Sequence, residues 1–308
     1  MLHLRVCLAT RLAVYALLAC LADVSIANAQ VQKATCTFKL IKTTSPDPYH
    51  PYCGGVAIND WGRIVGEAWY SGVPTPPPPP PYSAACASYS NGVTQYYAPP
   101  GATSSKLLGR NNKAVSVGQS YDGPPTYAEH SFLLQGSTFT FINHPEAIPS
   151  GTYAYGINKF SSVVGWYINK TTGRYRGFKR HSDDTYVDLV YPYRNTQTYP
   201  RAINDNGMVV GYYFGGPTGD THGFIFHKWQ WATLDYPNGH GTNLLGISNS
   251  GVIVGLDVKP FLYANGTFKY IAVPNALSTT VYGISPGGVL IGGADFGDHT
   301  SGFTAVCQ

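Results

Sequence analysis

The stretch Ala202-Ile203-Asn204-Asp205-Asn206-Gly207-Met208-Val209-Val210-Gly211 decides the fold, because the chain repeats it. Two small residues nine positions apart frame it, with an apolar strand ending at Asn, a polar turn, and a Val-rich return. The same frame recurs as Ala57-Ile58-Asn59 to Val65-Gly66, Gly109-Arg110-Asn111 to Val117-Gly118 and Gly156-Ile157-Asn158 to Val164-Gly165. It recurs again as Gly246-Ile247-Ser248 to Val254-Gly255 and Gly283-Ile284-Ser285 to Ile291-Gly292. Six copies at one offset are not chance, and a fixed repeat is the first thing to look for in a chain. Each copy reads as a β-hairpin, since Asn, Asp and Gly tolerate the left-handed backbone of tight turns. The small residue at each end implies a close approach of neighbouring backbones.

A second hairpin follows in each copy. Its first strand carries an x-Phe element: His130-Ser131-Phe132, Arg176-Gly177-Phe178, His222-Gly223-Phe224, Pro260-Phe261 and Ser301-Gly302-Phe303. A turn such as Asn265-Gly266 and a strand such as Thr267-Phe268-Lys269-Tyr270-Ile271 complete it. Successive copies are 52, 47, 46, 44 and 37 residues apart, measured between the second small residues. Four strands in roughly 45 residues is the size of one propeller blade. The expected fold is therefore all-β: a six-bladed β-propeller of four-stranded blades. An open solenoid would need capping repeats, and no segment reads as one.

The last copy stops after its third strand, at residues 302–307. Its missing fourth strand reads at the other end, as Thr37-Phe38-Lys39-Leu40-Ile41, which matches Thr267 to Ile271. The N-terminal strand is thus expected to close the last blade, leaving no open edge. Aligned on the fifth copy, Cys307 and Cys36 fall at Asn265 and Gly266, facing each other across a turn. That alignment predicts a Cys36–Cys307 disulfide and leaves Cys53 to pair with Cys86.

The copies resemble the HAF-type extracellular repeat family, whose units read H-[AG]-F, a Gly turn, then G-I-N-x-x-G-x-V-V-G. The stretch from Ala202 to Gly211, followed by His222-Gly223-Phe224, matches best, and the likeness extends over nearly the whole chain after residue 29. It is degraded in the first two copies, where Ala57 or Arg110 stands at a motif position. The resemblance implies export and a β-repeat architecture, and brings no catalytic residue with it.

Composition agrees with this reading. Of 308 residues, 12% are charged and 14% aromatic, with 35 Gly, 23 Pro and 24 Tyr. Long amphipathic helices need more Lys, Glu and Arg for their wet face. The net charge of +4 without a basic run gives no footprint for nucleic acid. Arg5 and Arg11, the apolar stretch 12–22 and Ala27-Asn28-Ala29 read as a signal peptide over residues 1–29, with the propeller domain over 30–308. Leu17-Leu18-Ala19-Cys20 is a rival lipobox that would anchor the chain by lipid through Cys20. The expected location is secreted or periplasmic, without a transmembrane segment. Four cysteines after residue 29 favour disulfides over metal.

Function is expected on the face carrying the loops after the second and fourth strands. These offer Trp69-Tyr70, Tyr121-Asp122, Trp166-Tyr167 and Tyr212-Tyr213, with Tyr153 and Tyr199 from the fourth-to-first connections. Aromatic rings beside amides and carboxylates suit a glycan, and an extracellular protein is the other expected partner. The chain is expected to act as a monomer. Glu67, Asp122, Glu129, Asp257 and Asp295 are carboxylates outside the turns, yet no pair is placed together by spacing. No catalytic constellation, cofactor or metal site is read. His130, His222 and His299 recur at one blade position and are expected to bond nearby backbone. A binding or interaction module is the expected function, with a polysaccharide hydrolase or lyase on the same face as the alternative. The polyproline run Pro76 to Pro81 reads as a stiff loop of the first blade.

Overall fold

The computed structural model describes residues 31–41, 53–69, 83–88, 94–215 and 219–308. Residues 31–308 form one compact unit. The described residues make six sheets, one per blade; the strands of each copy follow one another in sequence order, and blades 5 and 6 each gain an N-terminal strand at the outer edge. Blades 1 to 6 span residues 54–97, 102–142, 147–189, 197–233, 243–270 and 278–307. The candidate leader 1–29, Cys20, Tyr70 and the polyproline run lie outside the described residues.

Closure follows the sequence reading. Cys36–Ile41 pairs antiparallel with Thr300–Cys307 as the fourth strand of blade 6, with Cys36 opposite Cys307. The two are joined by a disulfide across 271 residues of chain. Sequence reasoning missed one strand: Gln32–Lys33 adds to blade 5 in parallel with Thr267–Tyr270. The N-terminal segment therefore spans two blades before it closes the ring.

Blades pack face to face through apolar clusters at their interfaces. Val65 and Ala85 of blade 1 meet Leu107 and Phe132 of blade 2. Val164 and Leu189 of blade 3 meet Ile203, Tyr213 and Phe224 of blade 4. The x-Phe residues Phe132, Phe178, Phe224, Phe261 and Phe303 are fully buried and lie opposite the second small residue of their blade. In blade 1 that position is Cys86, opposite Gly66 and bonded to Cys53, so a disulfide fills the place of the phenyl ring.

The two small residues have different reasons. A Cβ at the second, as in Gly165 or Gly211, would run into the carbonyl of the same blade's first strand. A Cβ at the first would meet the next blade: at Gly156 it would lie 2.8 Å from the Ala202 Cα, and at Gly109 2.9 Å from the Tyr155 carbonyl. The approach is tight at Gly109, Gly156 and Gly246, whereas Ala57 and Ala202 carry a Cβ at this position and Gly283 has room for one.

The motif Asn does more than make a turn. Its Oδ1 accepts from its own hairpin, as Asn204 does from the Met208 and Asn206 amides. Its Nδ2 reaches the next blade: Asn59 donates to the Asn111 carbonyl, Asn111 to Asn158, Asn158 to Asn204, and Asn204 to Ser248. Blades 5 and 6 carry Ser248 and Ser285, which keep the turn bond to the Val252 and Val289 amides and are too short to cross. There the crossing is made by the Asn249 amide on the Pro286 carbonyl and by the Gly287 amide on Asp60. Asp60 and Asp205 are structural turn residues, as their positions in the sequence imply.

Candidate functional site

Every innermost strand carries a one-residue irregularity just before its first small residue. The register slips between Gly55 and Ala57, Leu107 and Gly109, Ala154 and Gly156, Pro200 and Ala202, Leu244 and Gly246, and Val281 and Gly283. A bulge leaves its extra residue unpaired and re-aims it. The six extra residues are Val56, Leu108, Tyr155, Arg201, Leu245 and Tyr282, and all six line the central channel. Arg201 lies over the Tyr155 ring, 4.0 Å from its centroid.

One tier above, toward the loop-rich face, the furnishing is uneven. Cross-strand pairs on the first and second strands are Tyr153–Trp166 in blade 3 and Tyr199–Tyr212 in blade 4. The rings of each pair stack, with centroids 3.8 and 4.9 Å apart. Trp166 also meets Tyr199 at 5.6 Å, and Tyr175 joins Trp166 at 5.3 Å and Tyr199 at 5.8 Å. Five rings thus form one continuous wall over two blades. All are half-buried. Burial pushes the Tyr153, Tyr199 and Tyr212 hydroxyls above the ordinary phenol range, so they stay protonated donors.

Blade 2 has Lys106 paired with Gln119 in this tier, and Glu129 at the position of Tyr175. Burial raises the Glu129 carboxyl, with Lys106 opposing the shift. Blade 1 pairs Gly54 with Glu67, whose Oε1 accepts the Ser83 hydroxyl at 2.6 Å. Blade 6 pairs Thr280 with Gly293, and Gly302 lies beyond. Missing side chains leave space there: a cavity of about 400 Å³ is lined by Gly54, Gly55, Gly292, Gly293 and Gly302 with Glu67, Lys106 and Tyr282. In a six-membered ring, blades 6 and 1 stand across the axis from blades 3 and 4. The cavity therefore opposes the aromatic wall.

The expected site residues divide. Trp166 and Tyr212 stand in the wall. Tyr121 is exposed in the second strand of blade 2, beside Glu129. Tyr167 and Tyr213 do not belong to this surface, a correction to the sequence reading. They are 0% and 2% exposed. Neighbours on a strand point to opposite sides of the sheet, so 166 and 167, or 212 and 213, cannot share a face. Tyr167 stacks on His144 and donates to Asp188, while Tyr213 stacks on Tyr191 at 3.8 Å. Asp122 is bound to the His130 ring at 3.0 Å. Trp69 ends the second strand of blade 1, at the position after Ala68.

The remaining carboxylates are occupied. Asp257 accepts from the His240, Gly241 and Val258 amides and the Thr242 hydroxyl, and Asp295 from the Gly297 amide. His222 and His299 pair with Asp235 and Asp298, not with backbone as the sequence reading expected. No group of three metal-ligating side chains occurs among the described residues. Sequence reasoning missed Tyr155, Arg201, Lys106, Tyr175 and Tyr282. For Tyr155, Arg201 and Tyr282 the signal was available: each precedes the first small residue of its copy.

No protein-family model matches the chain, and no curated protein matches it in sequence. Solved structures do. TolB from Acinetobacter baumannii is similar at 12% identity and a TM-score of 0.52, over 81% of this chain and 65% of that one. The β-propeller domain of the Trilobed protease from Pyrococcus furiosus, described as having an open velcro topology, is similar at 10% identity and 0.51, over 80% and 79%. A streptogramin B lyase aligns at 11% identity and 0.46, over 89% and 98%. At these identities the likeness concerns the backbone alone. Strand order, closure and structural likeness agree on one conclusion: this chain is a six-bladed β-propeller.

Proposed function

We propose that the chain is an exported propeller that binds glycan at the loop-rich mouth of its channel. The supporting observation is the wall of Tyr153, Trp166, Tyr175, Tyr199 and Tyr212 standing across the axis from a cavity that carries Glu67 and Lys106. Ring faces pack on the C–H groups of a sugar while amides, carboxylates and ammonium groups take its hydroxyls. Two disulfides fit an oxidising compartment, and no helix among the described residues is long and apolar enough to cross a membrane.

The test is a glycan array with the purified protein, followed by titration calorimetry on each hit. Trp166→Ala and Tyr199→Ala should weaken binding by roughly tenfold or more, the scale of losing an interface anchor. An array without hits sinks the glycan reading and leaves a protein partner. A second reading, polysaccharide hydrolysis or lysis, draws on Glu129, whose raised pKa suits a proton donor and which feels the charge of Lys106, a residue that lines the cavity with Glu67. Release of reducing or unsaturated ends from a bound glycan, lost in Glu129→Gln, would establish it.

A further inference from the structure

The opposite face, made of the turns after the first and third strands, is built of short hairpins, and three of them carry exposed aromatic rings. Trp61 is 74% exposed at the first turn of blade 1, Phe160 55% at that of blade 3, and Trp229 74% at the second turn of blade 4. Scattered apolar residues are ordinary on a surface. The backbone under Trp229 is not. His227 pairs with Gln230, so Lys228 and Trp229 are the whole turn, and their φ angles are +49° and +65°. Such a turn favours Asn-Gly, which blade 5 has at the same place in Asn265-Gly266. Each bulky residue held left-handed is strained. The strain brings little packing in return: the indole meets the Phe226 ring edge-on at 6.1 Å and is otherwise in solvent.

Two acidic groups of this face, Asp60 and Asp205, are held by hydrogen bonds, while Asp183 and Asp184 at the second turn of blade 3 are exposed, Asp184 being paired with Arg180. Asp60 accepts from Gly287 and Asn112, and Asp205 is held by Asn249 and the Lys159 amide. Lys159 lies 5.0 Å over the Phe160 ring. Trp and Phe flanked by Lys are the side chains that settle at the headgroup level of a bilayer. The tips stand on three blades, a spacing suited to a flat occupant. The chain also enters the folded unit from this side, because Gln32–Lys33 runs parallel to a strand that leaves the second turn of blade 5.

We propose that this face rests on a phospholipid bilayer, with Trp61, Phe160 and Trp229 inserted at the level of the headgroups. The proposal is independent of the glycan reading, which concerns the other face. It is tested with protein carrying Cys20→Ala, so that no acyl anchor contributes, mixed with vesicles of phosphatidylcholine alone or with 30% phosphatidylglycerol. Sedimentation measures partitioning, and quenching by brominated lipid reports indole depth.

Partitioning to both vesicles is expected. Each of Trp61→Ala, Phe160→Ala and Trp229→Ala should lower it roughly five- to tenfold, the scale of partly burying one aromatic ring. Tyr127→Ala, an equally exposed ring on the loop-rich face, should leave it unchanged. The double change Lys228→Asn with Trp229→Gly should raise the melting temperature while lowering partitioning, which separates membrane contact from folding. Failure to sediment with either vesicle would overturn the proposal. So would an equal loss in Tyr127→Ala, or a double variant that melts lower and partitions as the parent does.

Discussion

Replacing Asn158 isolates the bond that ties one blade to the next. Its Oδ1 accepts from the Ser162 and Phe160 amides, and its Nδ2 donates to the Asn204 carbonyl at 3.2 Å. In Asn158→Ala, the Phe160 amide sits at an exposed tip and turns to water. The Ser162 amide is buried and loses its acceptor, a cost of about 1–3 kcal/mol. The Asn204 carbonyl keeps the Gly207 amide, so losing the crossing bond costs about 1 kcal/mol. The alanine variant should thus lose about 3 kcal/mol. Asn158→Ser copies blade 5, where Ser248 Oγ accepts the Val252 amide at 3.0 Å. It should keep the turn and lose only the crossing bond, about 1 kcal/mol. Guanidinium denaturation with the disulfides intact gives both values from shifts of the midpoint at a common slope. Hydrogen exchange should show residues 159–163 opening faster in the alanine variant alone. Equal losses in the two variants, or losses below about 0.5 kcal/mol in both, would refute the division of labour between the two ends of this amide.

Three further outcomes are expected. Breaking the ring staple with Cys36→Ser and Cys307→Ser frees a loop of 271 residues, for which chain entropy sets a ceiling of about 5.6 kcal/mol. Exchange protection should vanish first in 37–41 and 300–307. Gly165→Ala would press a methyl group to 2.8 Å from the Ala154 Cα and into the Tyr153 carbonyl, at a cost of roughly 3 kcal/mol in melting experiments. Gly136→Ala, at φ +61° with open space around it, should cost about 1 kcal/mol. Because burial raises the folded-state pKa of Glu129, the fold favours its neutral form. That contribution is complete below the ordinary carboxylate range and is lost as pH rises through the raised value. Glu129→Gln should therefore melt above the parent at pH 8, with the gap closing as pH falls below about 4. A gap that is constant with pH would mean that the carboxyl is not desolvated.

The scaffold was legible because its constraints are local and recur. A small residue needed six times at one offset is visible in a string, and so is a strand missing at one end and present at the other. The same holds for Cys36 and Cys307, whose register follows from aligning two copies. What escaped was everything set by partners far along the chain. Asn158 reads as a turn residue, and nothing near it in sequence points to the carbonyl of Asn204, 46 positions on. The pairs Trp166-Tyr167 and Tyr212-Tyr213 read as loop aromatics, whereas both lie inside strands, Val163–Asn169 and Val209–Phe214, whose alternation splits them. The extra strand at Gln32–Lys33 is two residues long and carries no pattern at all.

The closing strand also dictates a chronology. Cys53 meets its partner Cys86 after 33 further residues have been made, so the blade 1 bridge can oxidise early. Cys36 waits for Cys307, and until that segment emerges Cys36–Ile41 has no place to pair. The strand that closes the ring is thus among the first to be made and among the last to find its neighbour. During that interval its edge is open to any other chain in the same state, which makes crowding before ring closure a hazard for this protein.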